Sequence, residues 1–125
     1  MEVKVNHGWF VDRKEGIRIQ RDLKKYIDIG NKIDKIEIVA GIDCSYKDNK
    51  VKGVYVACNY ETLEIIDVKQ INGEVKFPYI PSFFAFREGP VIVELLKRIE
   101  KRADIIILNG HGIAHPENMG LATHI

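Results

Sequence analysis

The chain has 125 residues, a length suited to one ordinary domain, and its 46% apolar content is enough for a single core. With 19 basic and 18 acidic residues the formal net charge is +1, which excludes a global field for capturing DNA or RNA and requires any nucleic-acid footprint to be local. The opening Met-Glu-Val-Lys-Val-Asn-His forms no signal-peptide core, and no apolar run approaches the roughly 20 residues of a bilayer span, so a soluble protein with no membrane contact is expected.

In chain order, Ile17 to Ile29 sets Ile19, Leu23, Tyr26 and Ile27 on one face and Arg21, Asp22, Lys24 and Lys25 elsewhere, the spacing of an amphipathic helix closed by Gly30. Ile36 to Tyr46 is rich in β-branched residues and runs into the turn-forming Lys-Asp-Asn-Lys (47–50). Val51 to Tyr60 and Leu63 to Gln70 read as two more strands, and the short Asp/Asn-containing breaks favour an antiparallel three-stranded meander. Cys44 and Cys58 fall in these apolar runs and are expected as reduced, buried thiols, which fits a cytoplasmic protein. Pro90 suits the first position of a helix whose stripe is Ile92, Leu95, Leu96 and Ile99, opposite Glu94, Lys97, Arg98 and Lys101. Ile105 to Leu108 is wholly apolar and precedes Asn-Gly, as expected of a buried strand between covered faces. The order helix, three strands, helix, strand, without repeat or linker, predicts one α/β domain over residues 1–125.

The polar groups fall at the ends of these elements. Asp43 interrupts the apolar run Val39 to Cys44, and a carboxylate inside a strand is costly to bury unless a cation or hydrogen bonds compensate it. It reads equally as a metal ligand or as an Asp bonded to nearby backbone. Glu88 precedes Gly89-Pro90, where a helix dipole favours an anion, and Asn109 ends the last strand before a sharp turn at Gly110. If the first and last strands lie parallel and side by side, these groups share one crevice. Carboxylates so grouped bind Mg²⁺, which keeps several waters and completes its shell from phosphate oxygens, and phosphodiester hydrolysis is the reaction such a site suggests.

Gly-Ile-Asp (41–43), Phe-Pro-Tyr-Ile-Pro (77–81), Ala-Phe-Arg-Glu-Gly-Pro (85–90), Gly-His-Gly-Ile-Ala-His-Pro (110–116) and Gly-Leu-Ala-Thr-His (120–124), in this order, resemble the endonuclease V family from about Ile17 to the last residue. The resemblance implies a ribonuclease-H-like mixed sheet, a three-stranded antiparallel meander plus a parallel strand with flanking helices. It also implies Mg²⁺-dependent nicking, with Mn²⁺ as the substitute ion, at the second phosphodiester bond 3′ to deoxyinosine in DNA, or to inosine in RNA for some members. On that basis Asp43 and Glu88 match two acidic site residues, and Asn109 falls where the family has a further metal-binding Asp. Tyr79, between Pro78 and Ile80, matches an aromatic wedge that enters the helix beside the damaged base; two prolines stiffen the loop, and a rigid ring fills the gap left by an extruded base. The other reading makes Phe77 and Tyr79 strand-end core residues. Phe84, Gly110, Gly120 and Leu121 match the region of the hypoxanthine pocket, with His115 a contact to the nucleotide or its phosphate. Arg87 reads as a phosphate contact or as a partner for a carboxylate. His111 and His115 are four apart, but Gly112 and Pro116 argue against a helical zinc pair.

Three departures bear on activity. Asn109 keeps an oxygen donor but removes a unit of negative charge from the metal site, so metal affinity and rate should fall. Glu117 stands at the family's usual Arg and should repel a phosphate. The family continues beyond the length of this chain with a lysine and a late metal-site residue, so a C-terminally incomplete member is expected. An exposed sheet edge follows, covered by self-association or by a partner chain. The competing class is a catalytically silent nucleic-acid-binding relative.

Overall fold

The computed structural model describes residues 1–30, 33–75, 80 and 82–125. Helix α1 (Arg13–Leu23) starts earlier than the apolar spacing suggests because Asp12 caps it, its side chain accepting from the Glu15 N–H at 2.7 Å. Arg18 then pairs with Glu15 and Asp22 along the exposed face. The helix closes at Leu23 and tightens into a 3₁₀ turn over Lys24–Tyr26, so the expected continuation to Ile29 is not helical.

Three strands follow, β1 (Ile38–Lys47), β2 (Lys50–Asn59) and β3 (Ile65–Glu74), paired as the expected antiparallel meander. β1 and β2 join through a two-residue turn in which Asp48 takes φ 56°, a left-handed conformation that Asp tolerates. Helix α2 (Phe84–Lys97) leads to β4 (Ile105–Leu108), which lies parallel to β1, giving the order β3-β2-β1-β4. Asp104 ties the starts of the parallel pair together, its Oδ2 accepting from the N–H groups of Glu37 and Ile38 at 2.9 and 3.0 Å. A short helix α3 (Leu121–His124) follows the loop after β4.

α2 covers one face of the sheet, where Ile38, Ala40, Ile42, Tyr55 and Ala57 meet Ile92, Leu95, Leu96 and Ile99 in the main core. A second cluster, Ile19, Phe83 and Phe86, joins α1 to the start of α2, with Ile80 packed against it. Burial of Ala85 and Phe86 explains why α2 begins before Pro90, which sits inside the helix and not at its first position. Those contacts outweigh the missing N–H of an interior proline.

β4 departs from expectation as well. It is an edge among the described strands, and Ile107 is 62% exposed, so the apolar run is covered on one face only. Cross-strand register places Val68, Val56, Gly41 and Ile107 in one row on the face away from α2. Cys44 and Cys58 are free thiols, but half-buried where full burial was expected. No described helix is long and apolar enough to cross a membrane.

Candidate active site

The parallel register decides where the acidic corner forms. Ile42 and Leu108 are the last partners of β1 and β4, so Asp43 and Asn109 are the next residues on adjacent strands, both exposed at the carboxyl edge of β4. The Asp43 carboxylate accepts from the N–H of Cys44 at 2.9 Å, which leaves it most of its acceptor capacity. Glu88 approaches from α2. It lies inside the helix and is 5% exposed, so a helix-start charge does not describe it.

What compensates Glu88 comes from β1. The Tyr46 hydroxyl donates to Glu88 Oε2 at 2.6 Å, and the guanidinium of Arg87 lies 4.5 Å from the centre of the Tyr46 ring. Burial raises the Glu88 carboxyl above its ordinary range, hydrogen bonds from Tyr46 and Cys44 pull it down, the Asp43 charge adds a smaller upward push, and Arg87 opposes it. Burial, then Glu88, pushes the Cys44 thiol up to about 12, which keeps it protonated in the metal-free protein. Tyr46 is likewise raised by burial and by its bond to Glu88, so its hydroxyl stays a donor.

Two carboxylates that repel one another, beside an amide oxygen, are a hard-donor set that suits Mg²⁺ or Mn²⁺. Asp43, Glu88 and Asn109 are the residues that could hold it. No three His, Cys, Asp or Glu side chains converge among the described residues, and the corner's third position is an amide.

One peptide bond from Asn109 a cavity of about 480 Å³ opens, and Phe84, Gly110, His115, Gly120 and Leu121 all line it. Its walls are held by backbone. A Cβ on Gly120 would lie 2.2 Å from the His111 carbonyl oxygen, so only glycine lets the chain entering α3 pack on the turn after β4. His115 is 6% exposed; its Nδ1 accepts from the N–H groups of Glu117 and Met119 at 3.0 and 3.4 Å, which places the proton on Nε2 for donation to the Ser82 carbonyl at 2.6 Å. Both ring nitrogens are therefore taken, and His115 gives the cavity a wall and no free polar atom. Glu117 is met by Arg21 of α1, Nη2 to Oε1 3.3 Å, an ion pair that ties this loop to the helix and offsets the charge expected to repel phosphate.

Ile80 packs beneath the second apolar cluster, while Pro78 and Tyr79 lie outside the described residues. Gly89 is pressed by the Trp9 ring, to which a Cβ would come within 2.4 Å, so the N-terminal segment crosses α2 directly beside Glu88. Sequence reading missed Tyr46, although strand alternation carries the signal: it shares the face of Ile42 and Cys44, toward α2, three positions beyond Asp43.

The family described as Endonuclease V matches residues 21–125. Among curated relatives, the endonuclease V of Dictyoglomus turgidum is 37% identical over 112 residues, covering 90% of this chain and 49% of the relative. That of Dictyoglomus thermophilum is 36% identical over 125 residues, covering 100% and 55%. The chain thus spans about half the length of the curated relatives it matches. The Bacillus subtilis endonuclease V structure superposes with a TM-score of 0.86 at 30% identity, covering 94% of this chain and 53% of that one. A Ciona intestinalis endonuclease V, solved with a 23-mer DNA containing an inosine followed by a ribo-adenosine, gives 0.80 at 25% identity, covering 92% and 53%. With matching motifs on a ribonuclease-H-like mixed sheet, the chain belongs to the endonuclease V family.

Proposed function

We propose that this chain carries the acidic centre and base pocket of a divalent-metal-dependent nuclease acting on inosine-containing DNA or RNA, nicking at the second phosphodiester bond 3′ to the lesion. The observation that carries this reading is the adjacency of Asn109 and Gly110: one residue ends at the acidic corner, the next lines the cavity. A base held in that cavity has its flanking phosphates within reach of Asp43 and Glu88.

Asp43 and Glu88 hold Mg²⁺, or Mn²⁺ in its place, and Asn109 contributes a neutral oxygen. The ion, when bound, polarises the phosphate and lowers the pKa of an attacking water. Gly110, Gly120 and Leu121 bring backbone and apolar surface to the extruded base, Phe84 supplies an aromatic wall, and His115 holds the loop in shape. Tyr79, flanked by Pro78 and Ile80, fills the space the base leaves in the stack. Extrusion costs a few kcal/mol and least at a weak pair, which favours inosine over ordinary pairs.

A second reading, a nucleic-acid-binding relative with weakened catalysis, draws on the amide at Asn109. One labelled strand with a single inosine, as DNA and as RNA, incubated with Mg²⁺ or with EDTA beside an Asp43→Ala control, separates them. Metal-dependent nicking that the control lacks is the expected result. Folded protein that binds the inosine strand selectively without nicking it supports the second reading.

A further inference from the structure

Glu88 poses a problem that its neighbours on α2 do not solve. A metal ligand must hold one orientation, yet a buried glutamate has three side-chain torsions to fix and a charge to satisfy. Phe86, Gly89 and Val91 of the same helix offer its carboxylate no side-chain donor. The donors come from β1, where the Tyr46 hydroxyl bonds Oε2 at 2.6 Å and the Cys44 thiol adds a weaker hydrogen bond. A metal that takes one carboxylate oxygen needs only Oε1, so the Tyr46 bond does not compete with it.

The tyrosine is itself held. Its ring carries the Arg87 guanidinium at 4.5 Å, and Arg87 is the residue before Glu88. Two consecutive helical residues thus grip one strand residue, Arg87 by the ring face and Glu88 by the hydroxyl, and any rotation of the ring disturbs both contacts. Strand alternation keeps Tyr46 with Ile42 and Cys44 on the α2 side, three residues past Asp43, so the same ten-residue strand supplies a ligand and the support for another.

We infer that Tyr46 is a positioning residue that fixes the Glu88 carboxylate for the divalent cation, with Arg87 as the brace of its ring. This rests on the metal-centre reading above. Hydrogen-bond partners of metal ligands commonly change affinity by about 10- to 100-fold when removed. Tyr46→Phe keeps the ring under the Arg87 guanidinium and deletes the hydroxyl, with its hydrogen bonds to Glu88 and to Arg87.

The test is Mn²⁺ binding to the full chain without nucleic acid, read by the electron paramagnetic resonance of free Mn²⁺, for wild type, Asp43→Ala and Tyr46→Phe, with thermal unfolding alongside. Wild type is expected to bind Mn²⁺ at a site that Asp43→Ala abolishes, and Tyr46→Phe to keep the stoichiometry while weakening affinity about tenfold. In nicking assays the same variant should need more metal yet approach the wild-type rate at saturation. Wild-type affinity in folded Tyr46→Phe overturns the inference and leaves the metal centre standing. Absence of a site sensitive to Asp43 overturns the metal centre itself and the role of Tyr46 with it. Should Tyr46→Phe not fold, Arg87→Lys keeps the charge and removes the flat brace. A loss of roughly threefold in affinity is expected there, and no loss overturns the inference.

Discussion

Around the cavity, His115 is 6% exposed and held by three backbone groups, and Gly120 has no room for a methyl group against the His111 carbonyl. At the acidic corner one peptide away, Asp43 in mid-β1 and Asn109 just past the end of β4 lie exposed, and Glu88 is enclosed. The cavity's shape is thus set by packed backbone, which a substitution either fits or breaks. The corner's strength is set by the number of charges it presents to a cation, which substitutions can raise or lower stepwise. Recognition and chemistry should therefore fail separately in this chain.

The largest effect is expected on the cavity side. Gly120→Ala drives a Cβ into the His111 carbonyl and should cost about 1–3 kcal/mol of stability. It should also remove any preference for inosine over adenosine in binding, measured by denaturant unfolding and by fluorescence anisotropy. Acid should act on the same side. His124 lies beyond Gly120 on α3, its Nε2 2.8 Å from Nε2 of His7, an arrangement in which one ring must accept and so be neutral. Burial, then the charges of His7 and His115, lowers His124 to about 4 from an ordinary 6.5. The unfolded chain then binds more protons between those values, so stability is complete above pH 6.5 and is lost as pH falls toward 4, by on the order of 2 kcal/mol. His124→Gln should flatten that pH dependence in thermal unfolding.

On the corner side, Asn109→Asp restores a charge and should raise the nicking rate at limiting Mg²⁺ by about tenfold without altering binding in EDTA. An unchanged rate would show that the third position is not a ligand. The smallest effect is on stability. Glu88→Gln removes a buried charge while keeping an acceptor for Tyr46, so the metal-free protein should gain about 1 kcal/mol, roughly 4 °C in Tm at this size, as nicking is lost.

Much of this was legible in the chain. The β-branched runs in residues 36–70 and the short Asp/Asn-containing breaks between them carry the meander, because such runs favour strands and such breaks are long enough only for tight turns. The start of α2 was not legible, because Pro90 mimics a helix start and only the tertiary burial of Ala85 and Phe86 extends the helix past it. An apolar run such as Ile105 to Leu108 shows that a strand is buried somewhere but not on how many faces. In the site, Asp43 and Asn109 each had an ordinary explanation until parallel register made them neighbours. The family motifs named Phe84, Gly110, His115, Gly120 and Leu121 without showing that they share a cavity. Tyr46 on Glu88 and Arg21 on Glu117, separated by 42 and 96 residues, are contacts that no local pattern announces.

The most direct measurement is the affinity of the full chain, in EDTA, for a labelled strand containing one inosine against the same strand with adenosine. A cavity built by backbone and independent of metal predicts tighter binding to inosine in EDTA, retained in Asp43→Ala and lost in Gly120→Ala. Equal affinity for the two strands in folded wild-type protein would contradict it.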